Sequence, residues 1–155
     1  MSYSLHQEQF IATDLTSAWE FFSRPENLGK LTPPDVGFEI VHNDSEVMHE
    51  GQIIVYKIRV LPLIKLSWVT EITHVEAENK FIDNQRVGPY SLWHHTHTFE
   101  KVEGGVLMKD DIHYALPMGI FGKIAHLLFV RKKLESIFNF RKGAVEDLFP
   151  TPPHS

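Results

Sequence analysis

The chain has 155 residues and a formal net charge of −5, from 15 Lys and Arg against 20 Asp and Glu. This length suits one domain with a core of its own. Cysteine is absent, which excludes disulfides, thiolate metal sites and cysteine nucleophiles. Because the chain is acidic and no basic stripe interleaves with aromatic residues, we expect no nucleic-acid partner. Residues 1–8 have neither a basic start nor an apolar run, so we expect a cytoplasmic protein.

The first predicted elements are one strand and two short helices. The strand runs from Ser2 to Ala12, and Thr13-Asp14 then begins an amphipathic helix. Pro25 begins a second helix that ends near Leu31. It ends there because each proline of Thr32-Pro33-Pro34 disfavours the helical conformation in the residue before it.

An antiparallel meander is predicted next. Apolar and polar residues alternate in six segments, and short polar or Gly/Pro connectors separate them. The predicted strands run from Phe38 to Asn43, Gln52 to Leu61, Lys65 to Glu76, Lys80 to Gly88, Leu92 to Glu103 and Val106 to Leu116.

A single long helix is predicted from about Phe121 to Phe149, because apolar residues recur there every three or four positions. Pro117 and Gly119 end the strand before it. We expect residues 150–155 to be a disordered tail. This order of elements is α+β, with a curved sheet wrapped around the helix.

The strand that begins at Leu92 carries the most informative pattern. Strand alternation sends Trp93, His95, His97 and Phe99 to one face of the sheet. Two imidazoles therefore lie among large apolar rings, which is unusual for an exposed edge and for a plain core. The pattern indicates the wall of an internal pocket that is both apolar and chemically selective.

The next hairpin adds polar groups to that face. A tight turn centred on Gly104-Gly105 would place Asp110 opposite Phe99 and diagonal to His97, within reach of an imidazole N–H. Tyr114 then joins the same face. The preceding strand puts Asp83 and Gln85 on one face, and whether that face meets the same cavity is open at this point.

Three interpretations of this polar cluster remain open. It could be a closed hydrogen-bond network that fixes strand register, or the polar end of a ligand pocket. It could also be a metal site, because His-x-His puts both rings on one side and Asp110 or Gln85 could be a third ligand. That spacing permits a metal without specifying one, and we expect neither a metal nor another cofactor.

Several motifs occur together along the chain. They are Leu31-Thr32-Pro33-Pro34, the stretch around Met48, Gly51 and Tyr56, Trp68, Phe81-x-Asp83-x-Gln85, Gly88-Pro89-Tyr90-x-x-Trp93-x-His95-x-His97-x-Phe99, and Asp110-x-x-x-Tyr114-x-Leu116-Pro117 with Ile137-Phe138-x-x-Arg141. Together they resemble a little-characterised bacterial ligand-binding family of the START-like helix-grip superfamily, also called SRPBCC. The resemblance spans roughly Ser4 to Leu148.

This resemblance implies a helix-grip fold: about seven antiparallel strands in a curved sheet around the C-terminal helix, with an elongated cavity between them. It implies one START-like domain over residues 1–149. Relatives include lipid-transfer domains, polyketide cyclases and aromatases, coenzyme Q-binding proteins and plant pathogenesis-related proteins. Because this superfamily hosts carriers and enzymes alike, function must be argued from the site.

We expect the cavity to bind or carry a small apolar or aromatic molecule with at least one polar or acidic group, without a cofactor. The expected apolar wall consists of Trp68, Trp93, Phe99 and Tyr114. The expected orienting residues are Gln85, His95, His97, Asp110 and Arg141.

Two alternatives are kept. The first is a cyclase, dehydratase or isomerase that uses His97 with Asp110 as acid and base and Tyr114 as donor. The second is a protein-interaction module with a collapsed cavity. Cavity volume separates them, because a continuous void of about 300 Å³ or more favours a ligand.

Two further expectations concern the long helix. At 100° per residue Arg141 lies close to the centre of the apolar face, so it should face the sheet and pair with Asp83, Asp110 or a ligand acid. The alternative is that its side chain extends past the sheet edge to solvent. The apolar segment from Leu116 to Val130 is too short to cross a membrane. We expect it to be the buried start of the gripped helix, and the alternative is transient contact with an anionic membrane surface.

Overall fold

A computed structural model of the protein describes residues 2–61 and 63–151. Within these residues, seven strands form a single antiparallel sheet in the order β1-β7-β6-β5-β4-β3-β2. The strands are β1 (Tyr3–Ile11), β2 (Glu39–Asn43), β3 (Ile53–Leu61), β4 (Ile64–Glu76), β5 (Lys80–Val87), β6 (Leu92–Val102) and β7 (Gly105–Ala115).

Between β1 and β2 lie α1 (Leu15–Phe22) and the 3-10 helices Pro25–Leu31 and Pro34–Val36. The side chain of Asp14 caps α1 by accepting a hydrogen bond from the Ser17 amide at 2.9 Å. The predicted second short helix, which begins at Pro25, is a 3-10 helix and is tighter than an α-helix. Its seven residues hold Gly29 and precede two prolines, which leaves no room for α-helical turns.

The C-terminal helical region is continuous but not uniform. It consists of α2 (Gly119–Ala125), a π-helical turn His126–Val130 and α3 (Arg131–Leu148). The buried residues of α3 are Leu134, Phe138, Arg141 and Val145, which share one face. This face packs against the sheet, and the predicted helix-grip architecture is confirmed. The predicted tail lies outside the described residues from position 152 onward.

The predicted register of the β6–β7 hairpin is wrong. Val102 pairs with Gly105, so the turn consists of Glu103 and Gly104. Gly104 supplies the positive φ, at +78°, whereas Gly105 belongs to β7. A Cβ on Gly105 would lie 2.3 Å from the Ile11 carbonyl oxygen, so this glycine is needed for close strand packing and not for the turn.

The corrected register changes the neighbours of the histidines. Asp110 lies directly opposite His97, and Ile112 lies opposite His95. Directly opposed residues share a face of the sheet. Asp110 is therefore a direct cross-strand neighbour of His97 and not a diagonal one.

The expected burial of the segment before α3 is also wrong. Ile120 and Phe121 are each 68% exposed, Leu127 is 73% exposed and Phe129 is 69% exposed. The segment is apolar nearly all round, so its sequence gave no sign of which side meets the sheet. In the structure only the narrow side with Gly122 and His126 is buried. No helix in the described part of the chain is both long and apolar enough to cross a bilayer.

Candidate ligand-binding cavity

A cavity of about 370 Å³ lies between the sheet and α3. Its wall is mainly aromatic and aliphatic. The rings pack edge to face and side by side, with centroids 5.2 Å apart for Trp68 and Trp93 and 4.9 Å apart for Tyr90 and Trp93. The main apolar lining residues are Ile54, Tyr56, Ile58, Trp68, Tyr90, Trp93 and Phe138.

One part of the cavity wall is polar. Its side chains come together because β6 pairs with β5 on one side and with β7 on the other. Asp83 of β5 lies opposite His95 of β6, and His97 lies opposite Asp110 of β7. Arg141 reaches the same place from α3, with its Nη1 3.5 Å from Asp110 Oδ1. All five side chains are buried or nearly so, and we call them the polar cluster. Asp83, His95, His97 and Arg141 line the cavity, while Asp110 lies behind the histidines.

The hydrogen bonds of the polar cluster link each histidine to a different carboxylate. His97 Nε2 donates to Asp83 Oδ2 at 2.7 Å, and His95 Nε2 donates to Asp110 Oδ1 at 2.9 Å. His97 Nδ1 lies 3.1 Å from Asp110 Oδ1 but without the alignment of a hydrogen bond, so that contact is electrostatic. The two imidazole rings lie against each other, with centroids 3.6 Å apart.

The surroundings of Asp83 and Asp110 shift the pKa values of both carboxyl groups. Burial alone would raise the pKa of Asp110, but the Arg141 charge, the hydrogen bond from His95 and the close approach of His97 outweigh it and hold this pKa well below its usual value. Burial opposes ionisation of Asp83 too, and the neighbouring His95 and His97 lower its pKa. Both carboxylates are therefore ionised at neutral pH.

The two histidines behave differently from each other. Burial and the nearby His97 charge lower the pKa of His95. Burial also acts against the charge on His97, but the close Asp110 carboxylate and the hydrogen bond to Asp83 outweigh it and raise this pKa. An added proton therefore goes to His97 in preference to His95. When His97 is protonated, its charge and the Arg141 charge balance the two carboxylates.

Among the described residues, two buried donor groups of residues that line the cavity have no hydrogen-bond acceptor. They are Trp68 Nε1 and Arg141 Nε. A buried polar group without a partner costs about 1–3 kcal/mol, so such groups are uncommon in a plain core. Both donors have a hydrogen bond to offer to an acceptor that reaches them.

The structure brings five of the nine sequence-predicted site residues to the cavity wall: Trp68, Trp93, His95, His97 and Arg141. Four others lie elsewhere. Gln85 donates to the Tyr90 carbonyl oxygen at 2.7 Å and accepts from the Tyr90 amide at 3.2 Å, so it holds the turn before β6. A Cβ on Gly88 would lie 2.4 Å from Gln85 Oε1, which explains the glycine in that turn.

Phe99 and Tyr114 also lie away from the cavity. Phe99 packs in the core beneath α1, against Trp19 and Phe22. The Tyr114 hydroxyl hydrogen-bonds His126 Nε2 at 2.9 Å, at the π-helical turn and outside the polar cluster. Asp110, the fourth, touches the cavity only through the side chains that it binds.

The cavity residues expected from the sequence did not include Asp83, Tyr56 or Tyr90. The alternation of Phe81, Asp83 and Gln85 was visible, but only the pairing of β5 with β6 places Asp83 opposite His95. Tyr90 belongs to the Gly88-Pro89-Tyr90 turn, and this turn is the signal that could have found it.

Asp83, His95 and His97 could also hold a metal ion, since each offers a ligand atom within 4.8 Å of the others. The protons and charges of the polar cluster, however, are not arranged to bind a metal ion. His97 uses Nε2 to donate to Asp83, and Arg141 already places a positive charge 3.5 Å from Asp110. A cation bound here would have to displace that proton and face that charge.

Comparison with solved structures identifies the architecture. Protein CV1439 from Chromobacterium violaceum has a TM-score of 0.73 at 10% identity, covering 97% of this chain and 99% of that one. Norcoclaurine synthase from Thalictrum flavum, in complex with a transition state analogue, has a TM-score of 0.66 at 16% identity and covers 96% of each chain. The di-domain ARO/CYC protein BexL from the BE-7585A biosynthetic pathway has a TM-score of 0.70 at 14% identity, covering 98% of this chain and 51% of BexL.

No protein-family model matches the chain, and no curated protein matches it. These likenesses show a helix-grip fold, as the sequence motifs indicated.

The opposite pKa shifts of the two histidines can be measured by imidazole NMR. We expect His97 to titrate above about pH 6.5 and His95 below it. Asp110→Asn should lower the pKa of His97, because one of its two carboxylate neighbours loses its charge. The matched control is Asp111→Asn, which alters a carboxylate bonded to His6 on the other face. Equal titration of both imidazoles near pH 6.5 would contradict this description.

These shifts also give the sign of the pH dependence of stability. The raised pKa of His97 means that its protonated form stabilises the fold below the unfolded value of about 6.5, and this contribution is lost as the pH rises through the folded pKa. The lowered pKa values of Asp83 and Asp110 stabilise the fold above about pH 3.9 and are lost as the pH falls through the folded values.

Arg141→Ala should destabilise the protein by about 3–5 kcal/mol in urea unfolding, because it leaves the buried Asp110 carboxylate without its cation. Arg131→Ala is the matched control. Arg131 lies on the same helix in an exposed pair with Glu135, and its loss should change the free energy of unfolding by less than about 1 kcal/mol. Equal effects of the two substitutions would show that the buried Arg141–Asp110 pair contributes no more to the free energy of unfolding than the exposed Arg131–Glu135 pair.

Proposed function

We propose that residues 1–149 form one START-like domain that binds or carries a small apolar or aromatic molecule bearing an acidic or other hydrogen-bond-accepting group. The observation that carries this proposal is the pair of buried donors without acceptors among the described residues, Trp68 Nε1 and Arg141 Nε, in a largely aromatic wall. A ligand that is apolar along its body and accepting at one end would match both parts of the wall.

The size of the cavity supports a ligand over a collapsed interior. At about 370 Å³ the cavity falls in the range of small-molecule pockets, which begins at about 300 Å³. A protein-interaction module with a filled interior would lack this space. Since ligands of this class partition into membranes, transient contact with a membrane surface is part of the proposal.

The structural neighbours support a proposal of ligand binding. One similar structure is a point mutant of norcoclaurine synthase with a transition state analogue bound, and another is the ARO/CYC protein BexL. The first shows that a protein of this fold can hold such a molecule. The ligand of this chain has to be inferred from the residues of its own cavity wall.

We expect an environment-sensitive anionic aromatic dye to bind in the micromolar range and to be displaced by aromatic or fatty carboxylic acids. The methyl esters of the same acids should displace it more weakly, because an ester oxygen is a weaker hydrogen-bond acceptor than a carboxylate oxygen. Trp68→Phe should weaken acid binding about fivefold by removing one donor. Trp19→Phe, outside the cavity, is the matched control. Acids that displace no dye, or acids and esters that displace it equally, would contradict the proposal.

A second candidate function is proton-transfer catalysis, such as cyclisation, dehydration or isomerisation. One observation favours it: the adjacent His95 and His97 have pKa values shifted in opposite directions, which provides a neutral base and a charged acid side by side. Tyr114 is not a donor in this version, since its hydroxyl is bonded to His126.

This candidate is tested with phenylpyruvate in deuterium oxide, following loss of its benzylic proton signal by NMR. A positioned base should speed the exchange at least about 100-fold over the solution rate. His95→Gln and His97→Gln should each abolish the effect. His94→Gln should not, because His94 lies on the opposite face and bonds Asn84. Exchange at the solution rate with dye displacement intact would identify a carrier.

A further inference from the structure

An apolar surface lies on the helical region before α3. Its members cover the exposed sides of α2 and of the π-helical turn, away from the buried Gly122 and His126. We call it the apolar shoulder, and it consists of Ile120, Phe121, Ile124, Leu127, Leu128 and Phe129, each at least 49% exposed. Contiguous exposed apolar patches of this kind mark contact sites on soluble proteins.

The charges around the apolar shoulder are mainly basic, although Arg131 pairs with Glu135 and Lys133 pairs with Asp35. Lys123, Arg131, Lys132 and Lys133 lie within or directly after it, and no acidic residue occurs between Leu116 and Leu134. The whole chain, by contrast, has a net charge of −5. A partner with an apolar interior and a negative surface is therefore complementary to this region.

A lipid bilayer that contains anionic headgroups has this chemistry. Helices with a Phe- and Leu-rich face and flanking Lys and Arg lie in the membrane interface, with the apolar face about 5–10 Å deep. A second copy of the chain fits less well, because a twofold contact would bring the basic residues of both copies together.

The apolar shoulder is continuous with the cavity. Phe129, which is 69% exposed, also lines the cavity, and so do Val130 and Lys133. The cavity therefore reaches the surface beside the apolar shoulder. Ile58 and Arg59 of β3 line the same cavity, and beyond them the β3–β4 hairpin exposes Leu63.

We propose that the apolar shoulder docks on the surface of an anionic bilayer and so places the cavity opening against the lipid. This inference rests on the proposed ligand-binding function and adds the partner from which the ligand is taken or to which it is delivered. An apolar ligand would then pass between bilayer and cavity beside Phe129, with little exposure to water.

The test is flotation of the full chain with vesicles of phosphatidylcholine alone or mixed with phosphatidylglycerol. We expect binding to the mixed vesicles to be at least about tenfold stronger, and to weaken at high salt. Phe121→Asp with Leu128→Asp should reduce it at least about tenfold. The matched control is Val41→Asp, an exposed valine on the edge strand β2.

The basic residues are tested separately. Lys132→Glu should weaken binding to the mixed vesicles by about fivefold or more. Lys142→Glu, on the same helix but away from the apolar shoulder, should have a smaller effect. Equal binding to both kinds of vesicle, or equal effects of the two lysine substitutions, would overturn the assignment of an anionic membrane.

Dye displacement by an acid in solution separates this inference from the proposed function. Phe121 and Leu128 do not line the cavity, so the doubly substituted chain should lose vesicle binding and keep acid binding. A wild-type chain that binds acid but no vesicles would overturn docking and leave the ligand proposal standing. Concentration-dependent dimers abolished by the same double substitution would overturn docking in favour of a second copy.

Discussion

The buried Asp110 carboxylate requires charged or hydrogen-bonding partners, and this requirement constrains the elements packed around it. A carboxylate at this depth must be paired, and its partners come from separate elements: His95 and His97 from the adjacent strand and Arg141 from α3. The pairing fixes the register of β6 on β7 and the rotation of α3 against the sheet. Breaking any one partner leaves charge without compensation in a place that water does not reach easily.

The same requirement shapes the cavity. Because Arg141 must reach Asp110, α3 is held with Leu134 and Phe138 toward the sheet, and the aromatic residues of β4 and β6 form the facing wall. The polar cluster is balanced within itself but leaves donors without acceptors. An apolar cavity with donors at one side is suited to a ligand that is apolar along its length and accepting at one point.

Local periodicity made most of the fold predictable. Alternation of period two marked the strands and a period near 3.6 marked the long helix, and Arg141 fell on the buried side as that period requires. Pairing between strands was harder. Two glycines in a row suggested the wrong turn, and register shifts between β4 and β5 hid the position of Asp83. The exposed Phe121 and Leu128 could not be assigned to a side, because their neighbours are apolar as well.

The central claim is that an acceptor group on the ligand meets the unpaired donors of the cavity wall. The most direct measurement is NMR of the side-chain nitrogens during titration with an aromatic carboxylic acid. The account predicts that the Trp68 Nε1 and Arg141 Nε signals shift as the acid binds, while the Trp19 Nε1 signal stays in place. Saturable acid binding that leaves both the Trp68 and Arg141 signals unchanged would contradict it.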